Sequence, residues 1–131
     1  MVHVALAFLM AVTTGGKQAP DYEAALSQSQ QESKPLVILI GAPWCASCQV
    51  MKHETIEPMM ESGKLENVVV TYINKDERPE LAQQLMKGET LPQIVVFAKQ
   101  GEGWKRFSLT GMQSQNRMAE LLNRAAGRLT R

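Results

Sequence analysis

The chain has 131 residues, an apolar share of 44% and a formal charge of +1. These values describe one globular domain with a substantial core and give no electrostatic basis for nucleic-acid binding. Two cysteines are too few for the disulfide framework of a small secreted scaffold, and with only His3 and His53 beside them a structural zinc site is not expected.

Residues 1–12 are apolar and carry no formal charge while His3 is neutral, and the small, flexible Thr13-Thr14-Gly15-Gly16 follows. Two readings are open. The stretch is too short to span a bilayer and has the length of a signal-peptide core, which makes residues 1–16 a signal-peptide remnant or membrane anchor. Alternatively, Val2, Val4, Leu6 and Phe8 alternate along one face of a first strand. The first reading places the domain outside the cytoplasm, in a periplasm or an equivalent space. The second leaves it cytoplasmic.

Residues 21–33 read as a helix capped by Asp21, with Tyr22, Ala25 and Leu26 on one face and Lys34-Pro35 as its stop. Leu36-Val37-Ile38-Leu39-Ile40 is a continuous apolar run, as a central strand covered on both faces requires. After the turn Gly41-Ala42-Pro43, a second helix is expected from Cys45, with Cys48, Met51, Thr55 and Met59 on one stripe. Pro58 should kink it or end it just before that residue.

Residues 67–73 form the next buried strand. Asp76-Glu77-Arg78-Pro79 opens a third helix, whose apolar stripe is Leu81, Ala82, Leu85 and Met86 and whose stop is Gly88. Residues 92–98 and 104–109 are strands joined by a glycine-bearing loop over residues 99–103. The last helix is capped by Ser114, buries Met118, Leu121, Leu122 and Ala125, and stops at Gly127. Parallel crossovers followed by an antiparallel hairpin make an α/β domain, a mixed sheet of four to five strands with helices on both faces. From Lys99 onward seven basic residues face only Glu102 and Glu120, which a solvated hairpin and an amphipathic helix explain as well as a docking face would.

Trp44-Cys45-Ala46-Ser47-Cys48 contains both cysteines. It follows the first buried strand and opens the next helix, and ligand sites in open α/β sheets lie at such carboxyl ends of strands. Unpaired N–H groups and the positive end of a helix stabilise a thiolate more than a thiol. Cys45 is therefore the expected nucleophile, with a pKa below the free value of about 8.5. Cys48, one turn deeper, is expected to be shielded and to attack only once Cys45 is in a mixed disulfide. No histidine lies between the cysteines to stabilise the thiolate further, so the pair leans toward the reducing side.

Lys34-Pro35, the motif Ala42-Pro43-Trp44-Cys45-Ala46-Ser47-Cys48, Asp76-Glu77-Arg78-Pro79, and Thr90-Leu91-Pro92 before an apolar strand occur in that order. Together they resemble the thioredoxin-like family over residues 21–126, in particular its secreted or membrane-associated members and the C-terminal domain of membrane thiol–disulfide reductases. The resemblance implies a thioredoxin-like fold over residues 17–131. It also implies a cis Pro92 packed opposite the cysteines, a Leu91 whose backbone hydrogen-bonds an extended substrate, and a partly exposed Trp44 beside Cys45. Thioredoxin itself carries a buried aspartate that moves the proton of its second cysteine, and the matching position here is Leu39. Lys52 and Glu54 are the nearest charged side chains in sequence, and both are expected as solvated helix residues, as is His53.

The expected activity is thiol:disulfide exchange, reducing protein disulfides outside the cytoplasm. Cys45 and Cys48 are its catalytic residues, and Trp44, Leu91 and Pro92 its substrate contacts. The chain is expected to need no cofactor or metal and to work as a monomer. Its partners would be protein disulfide or dithiol substrates and a separate thiol electron donor such as a membrane reductase. Two other uses of the same residues stay open. One is a Cu(I) module through Cys45, Cys48 and Met51, for which the eight methionines are better explained as core filling. The other is a non-catalytic interaction domain stapled by a fixed disulfide.

Overall fold

The computed structural model describes residues 19–127, so both readings of residues 1–16 lie outside the described residues. Among those described, the elements follow as α1 (Tyr22–Glu32), β1 (Leu36–Gly41), α2 (Ala46–Val50), a π-helical turn (Met51–Ile56), α3 (Glu57–Glu61), β2 (Val69–Asn74), α4 (Pro79–Leu85), β3 (Gln93–Gln100), β4 (Gly103–Thr110) and α5 (Gln115–Ala125). The sheet order is β2-β1-β3-β4. β1 runs parallel to β2 and antiparallel to β3, and β3 pairs antiparallel with β4. This is the expected mixed sheet, with four strands among the described residues.

β1 is central because it is apolar on both faces. Leu36, Ile38 and Ile40 point into one layer, with Val69, Ile73, Val95, Ala25 of α1, and Ala82 and Leu85 of α4. Val37 and Leu39 point into the other, with Met51, Ile56, Met59, Ile94, and Met118 and Leu121 of α5. Met51, Met59 and Met118 are thus core residues, as expected of flexible gap-fillers. Both expected caps are present: Asp21 accepts from the Ala24 N–H at 2.9 Å, and Ser114 from that of Arg117 at 3.2 Å. Arg78, which precedes α4, reaches Glu23 on α1 and holds its carboxyl below the usual range. Both side chains are exposed, and such a surface pair adds little to stability.

Two details differ from the sequence reading, and at Pro58 one of its two alternatives is excluded. The helix does not end before Pro58. It continues to Glu61, because the turn ahead of the proline is widened: the Glu57 N–H donates to Lys52 O, five residues back. A proline inside a regular α-helix collides with the carbonyl four residues earlier and leaves it without a donor, and a π turn relieves both problems. The third helix stops at Leu85, before Gly88, because the following loop is bound to Gln93 instead of extending the helix. The hairpin loop is two residues, not five, since Gln100 already pairs with Gly103 and Gly101 takes the positive φ (63°) that so tight a turn needs.

Ile38 is fully buried in the central strand. Replacing Ile38 by Ala should therefore cost about 2–5 kcal/mol, and by Val about 0.5–1.5 kcal/mol, read from denaturant midpoints at unchanged slope.

Candidate active site

The cysteines stand where β1 ends. Cys45 occupies the N-cap of α2 in extended backbone conformation, and Cys48 lies in its first turn. They are joined as a disulfide with a Cα–Cα separation of 5.2 Å. The Cys48 N–H points at Cys45 Sγ at 3.2 Å, and Ser47 Oγ lies 3.4 Å from the same sulfur. In the reduced protein a thiolate at Cys45 meets an unpaired helix N–H and a hydroxyl donor there, so the helix start favours its charged form. Cys48 sits deeper, 4% exposed against 7% for Cys45.

This placement depends on Gly41, the last residue of β1. A Cβ added there would stand 2.9 Å from Cys48 Cβ and 3.1 Å from its Sγ. Only a residue without a side chain lets the strand end and the helix approach so closely. The sequence reading treated Gly41 as a turn residue and missed this contact.

Leu91 packs against Ala42, Cys45 and Cys48, so the chain before β3 reaches the disulfide. The Leu91–Pro92 peptide bond is cis, and Pro92 O accepts from the Gly111 N–H at 2.8 Å, tying this segment to the end of β4. Trp44 is 69% exposed, and its indole Nε1 donates to Asp76 Oδ2 at 2.8 Å. The ring is therefore a tethered surface platform on the motif rather than a core residue. Asp76 belongs to the loop after β2 and was not anticipated in this role.

Gln93 is the other residue the sequence reading passed over. Its side chain is 1% exposed. It accepts from the Lys87 N–H at 2.9 Å and donates to Lys87 O at 2.8 Å and Thr90 O at 3.0 Å. One buried amide thus fixes the loop that presents Leu91. The available signal was a polar residue at the start of an apolar strand, since a buried polar group needs partners. Thr55 similarly anchors the segment before α5, donating to Gln113 O at 3.0 Å.

The charged neighbours divide. His53 is exposed and hydrogen-bonds Glu57 at 3.0 Å, and Glu54 is exposed, both as expected. Lys52 is not simply solvated. It is half-buried, its Nζ lies 4.7 Å from the Tyr72 ring centroid, and it lines a cavity of about 170 Å³ with Leu39, Cys48 and Tyr72. Burial, followed by the nearby Glu57 carboxylate, pushes the Tyr72 hydroxyl up to about 12. Among the described residues no cluster of three or more His, Cys, Asp or Glu side chains forms a metal site. Met51 faces the core layer rather than the disulfide.

A sequence model of the thioredoxin-like family matches residues 17–99. The chain belongs to the thioredoxin-like family. It is 30% identical over 111 residues to thiol:disulfide interchange protein DsbD 1 of Pseudomonas aeruginosa; the match takes in 81% of this chain but only 18% of that protein. Among solved structures it resembles chloroplastic thioredoxin z (TM-score 0.68, 22% identity, 84% of this chain and 94% of that one). It also resembles the thioredoxin of Thermus thermophilus (TM-score 0.64, 23% identity, 84% and 85%). At such identities these structures establish the fold alone.

Two substitutions test the site's construction. Gly41→Ala should destabilise the oxidised protein by about 1–3 kcal/mol through overpacking against Cys48, seen as a lowered denaturation midpoint. Gln93→Leu should cost about 1–3 kcal/mol by stranding the loop's buried polar groups and should speed hydrogen exchange at the Lys87 amide.

Proposed function

We propose that the chain is a thiol:disulfide oxidoreductase that reduces protein disulfides outside the cytoplasm. The observation that carries this is the Cys45–Cys48 disulfide at a helix start, with the Cys48 amide directed at Cys45 Sγ. In the reduced form the Cys45 thiolate attacks one sulfur of a substrate disulfide, and the other leaves as a thiolate. Cys48 then loses its proton and attacks Cys45, releasing the second substrate thiolate and closing the protein disulfide. Two electrons pass to the substrate, and a separate dithiol donor, such as a membrane reductase, restores the pair.

Substrate contact fits the same centre. Trp44 offers an exposed flat face, and the Leu91 backbone, in the loop fixed by Gln93, is available to pair with an extended chain beside the sulfurs. The name of the Pseudomonas relative, a thiol:disulfide interchange protein, supports exchange as the reaction. The net reducing direction is supported by the absence of a histidine between the cysteines. The extracytoplasmic location is supported by the apolar residues 1–12. The chain acts as a monomer on protein thiols and disulfides.

An insulin-reduction assay with a dithiol donor tests this. The wild type should turn over, and Cys45→Ser and Cys48→Ser should each abolish turnover. Cys48→Ser alone should accumulate mixed disulfides through Cys45. Absence of turnover together with a potential well below about −300 mV, the range of structural disulfides, would mean that the bond is a fixed staple.

A further inference from the structure

A resolving cysteine attacks as a thiolate, so the proton on Cys48 has to leave a site that is 4% exposed. Burial in apolar surroundings opposes that ionisation. The side chain at the end of the neighbouring strand gives no help, because Leu39 is apolar and buried. Cys48, Leu39, Tyr72 and Lys52 line one open cavity, and Lys52 is its only charged lining residue among the described residues. Leu39 and Tyr72 are register partners on β1 and β2, so the tyrosine stands beside Leu39 in the wall that faces Cys48. Lys52 Nζ is held over the Tyr72 ring, 4.7 Å from its centroid. A cation attracted to an aromatic face gives up part of its freedom to swing into solvent.

The other titratable groups nearby leave this charge in place. The Tyr72 hydroxyl stays protonated through the neutral range and adds no anion. Glu57, on α3, hydrogen-bonds His53 and acts on the Tyr72 hydroxyl, but it does not line the cavity that Cys48 and Lys52 share. Asp76, after β2, accepts from the Trp44 indole, and Glu54 is exposed on the helix surface. Cys45 is uncharged while it is bonded to substrate.

We propose that Lys52 is a positioning residue for the resolving step. Its ammonium, held over Tyr72 at the wall of this cavity, stabilises the Cys48 thiolate. The proposal rests on the thiol–disulfide reading above. In the step, the Cys48 S–H bond breaks and solvent water entering the cavity takes the proton. The thiolate electron pair forms the bond to Cys45 Sγ, the bond from Cys45 to substrate breaks, and its electron pair leaves on the substrate sulfur. The two cysteines are oxidised and the substrate is reduced, with no further reagent. Lys52 takes no proton; it makes the ionised Cys48 easier to reach.

The test reads the Cys48 thiol directly. In a Cys45→Ser background its pKa is followed by ultraviolet thiolate absorbance in chains carrying Lys52, Lys52→Arg, Lys52→Met or Lys52→Glu. Met keeps much of the packing on Tyr72 and removes the charge. Lys52→Met should raise the Cys48 pKa by about 0.5–1 and Lys52→Glu by more, while Lys52→Arg holds it near the parent value. Added salt should shrink the difference between Lys52 and Lys52→Met. With both cysteines present, Lys52→Met should slow resolution of a mixed disulfide at neutral pH. The slowing should reach about threefold where the thiolate population falls tenfold, because a more basic thiolate is also the better nucleophile. An unmoved pKa in Lys52→Met, or an Arg variant that behaves like Met, overturns the proposal. If the wild type still turns over insulin in that case, the oxidoreductase reading stands without it. A moved pKa in a protein that turns over no disulfide supports the electrostatic role and overturns the function on which it was built.

Discussion

The close approach of Cys48 to the backbone of Gly41 is the constraint on which the site depends. It presses the start of the helix against the carboxyl end of β1, leaving no room for a Cβ on the strand's last residue. With the helix docked there, Cys45 falls at the N-cap, where unpaired N–H groups gather, and Cys48 falls inside. The unequal burial and hydrogen bonding of two identical side chains follow from that difference of one helical turn. Trp44, the residue ahead of the cap, is left on the surface, where Asp76 fixes its orientation.

The rest of the structure brings distant segments to this point and holds them. Gln93 ties the loop after α4 through bonds to Lys87 and Thr90, and Pro92 O receives the Gly111 N–H from the end of β4. Thr55 bonds Gln113 across a gap of 58 positions in the chain. Each of these polar groups is a buried or part-buried one whose partner lies in a loop, so the loops are ordered without secondary structure of their own. For the substrate contact proposed at Leu91, a preorganised loop leaves little ordering to be done on binding.

The electrostatics beside Cys48 depart from those of thioredoxin itself, in which the position of Leu39 holds an aspartate. Here the strand wall is apolar, and the charge comes from the helix, through Lys52 resting on Tyr72. The π turn that carries the helix past Pro58 begins at Met51, so Lys52 lies within the widened stretch. A carboxylate can accept a proton, whereas an ammonium acts only through its field. On the role proposed for Lys52, the ammonium eases the Cys48 deprotonation through its field alone.

Much of the fold was legible locally. The run Leu36 to Ile40 announced a strand buried on both faces, Asp21 and Ser114 announced helix starts, and the C-x-x-C after that strand announced the redox centre, because each depends on residues within a turn or a strand's length. The sequence therefore determined the elements, the family and the placing of the two sulfurs at a helix start. The tertiary structure decided what surrounds them: that Gly41 makes room for Cys48, that Gln93 fixes the loop bearing Leu91, that Asp76 fixes Trp44, and that Lys52 turns to a tyrosine beside the buried sulfur instead of to solvent. Asp76 with Trp44 and Lys52 with Tyr72 join residues far apart in the chain, and Gly41 and Cys48, though only a few residues apart, belong to different elements. Periodicity and capping describe one element at a time, and only the packing of sheet, helix and loop sets the distances between them.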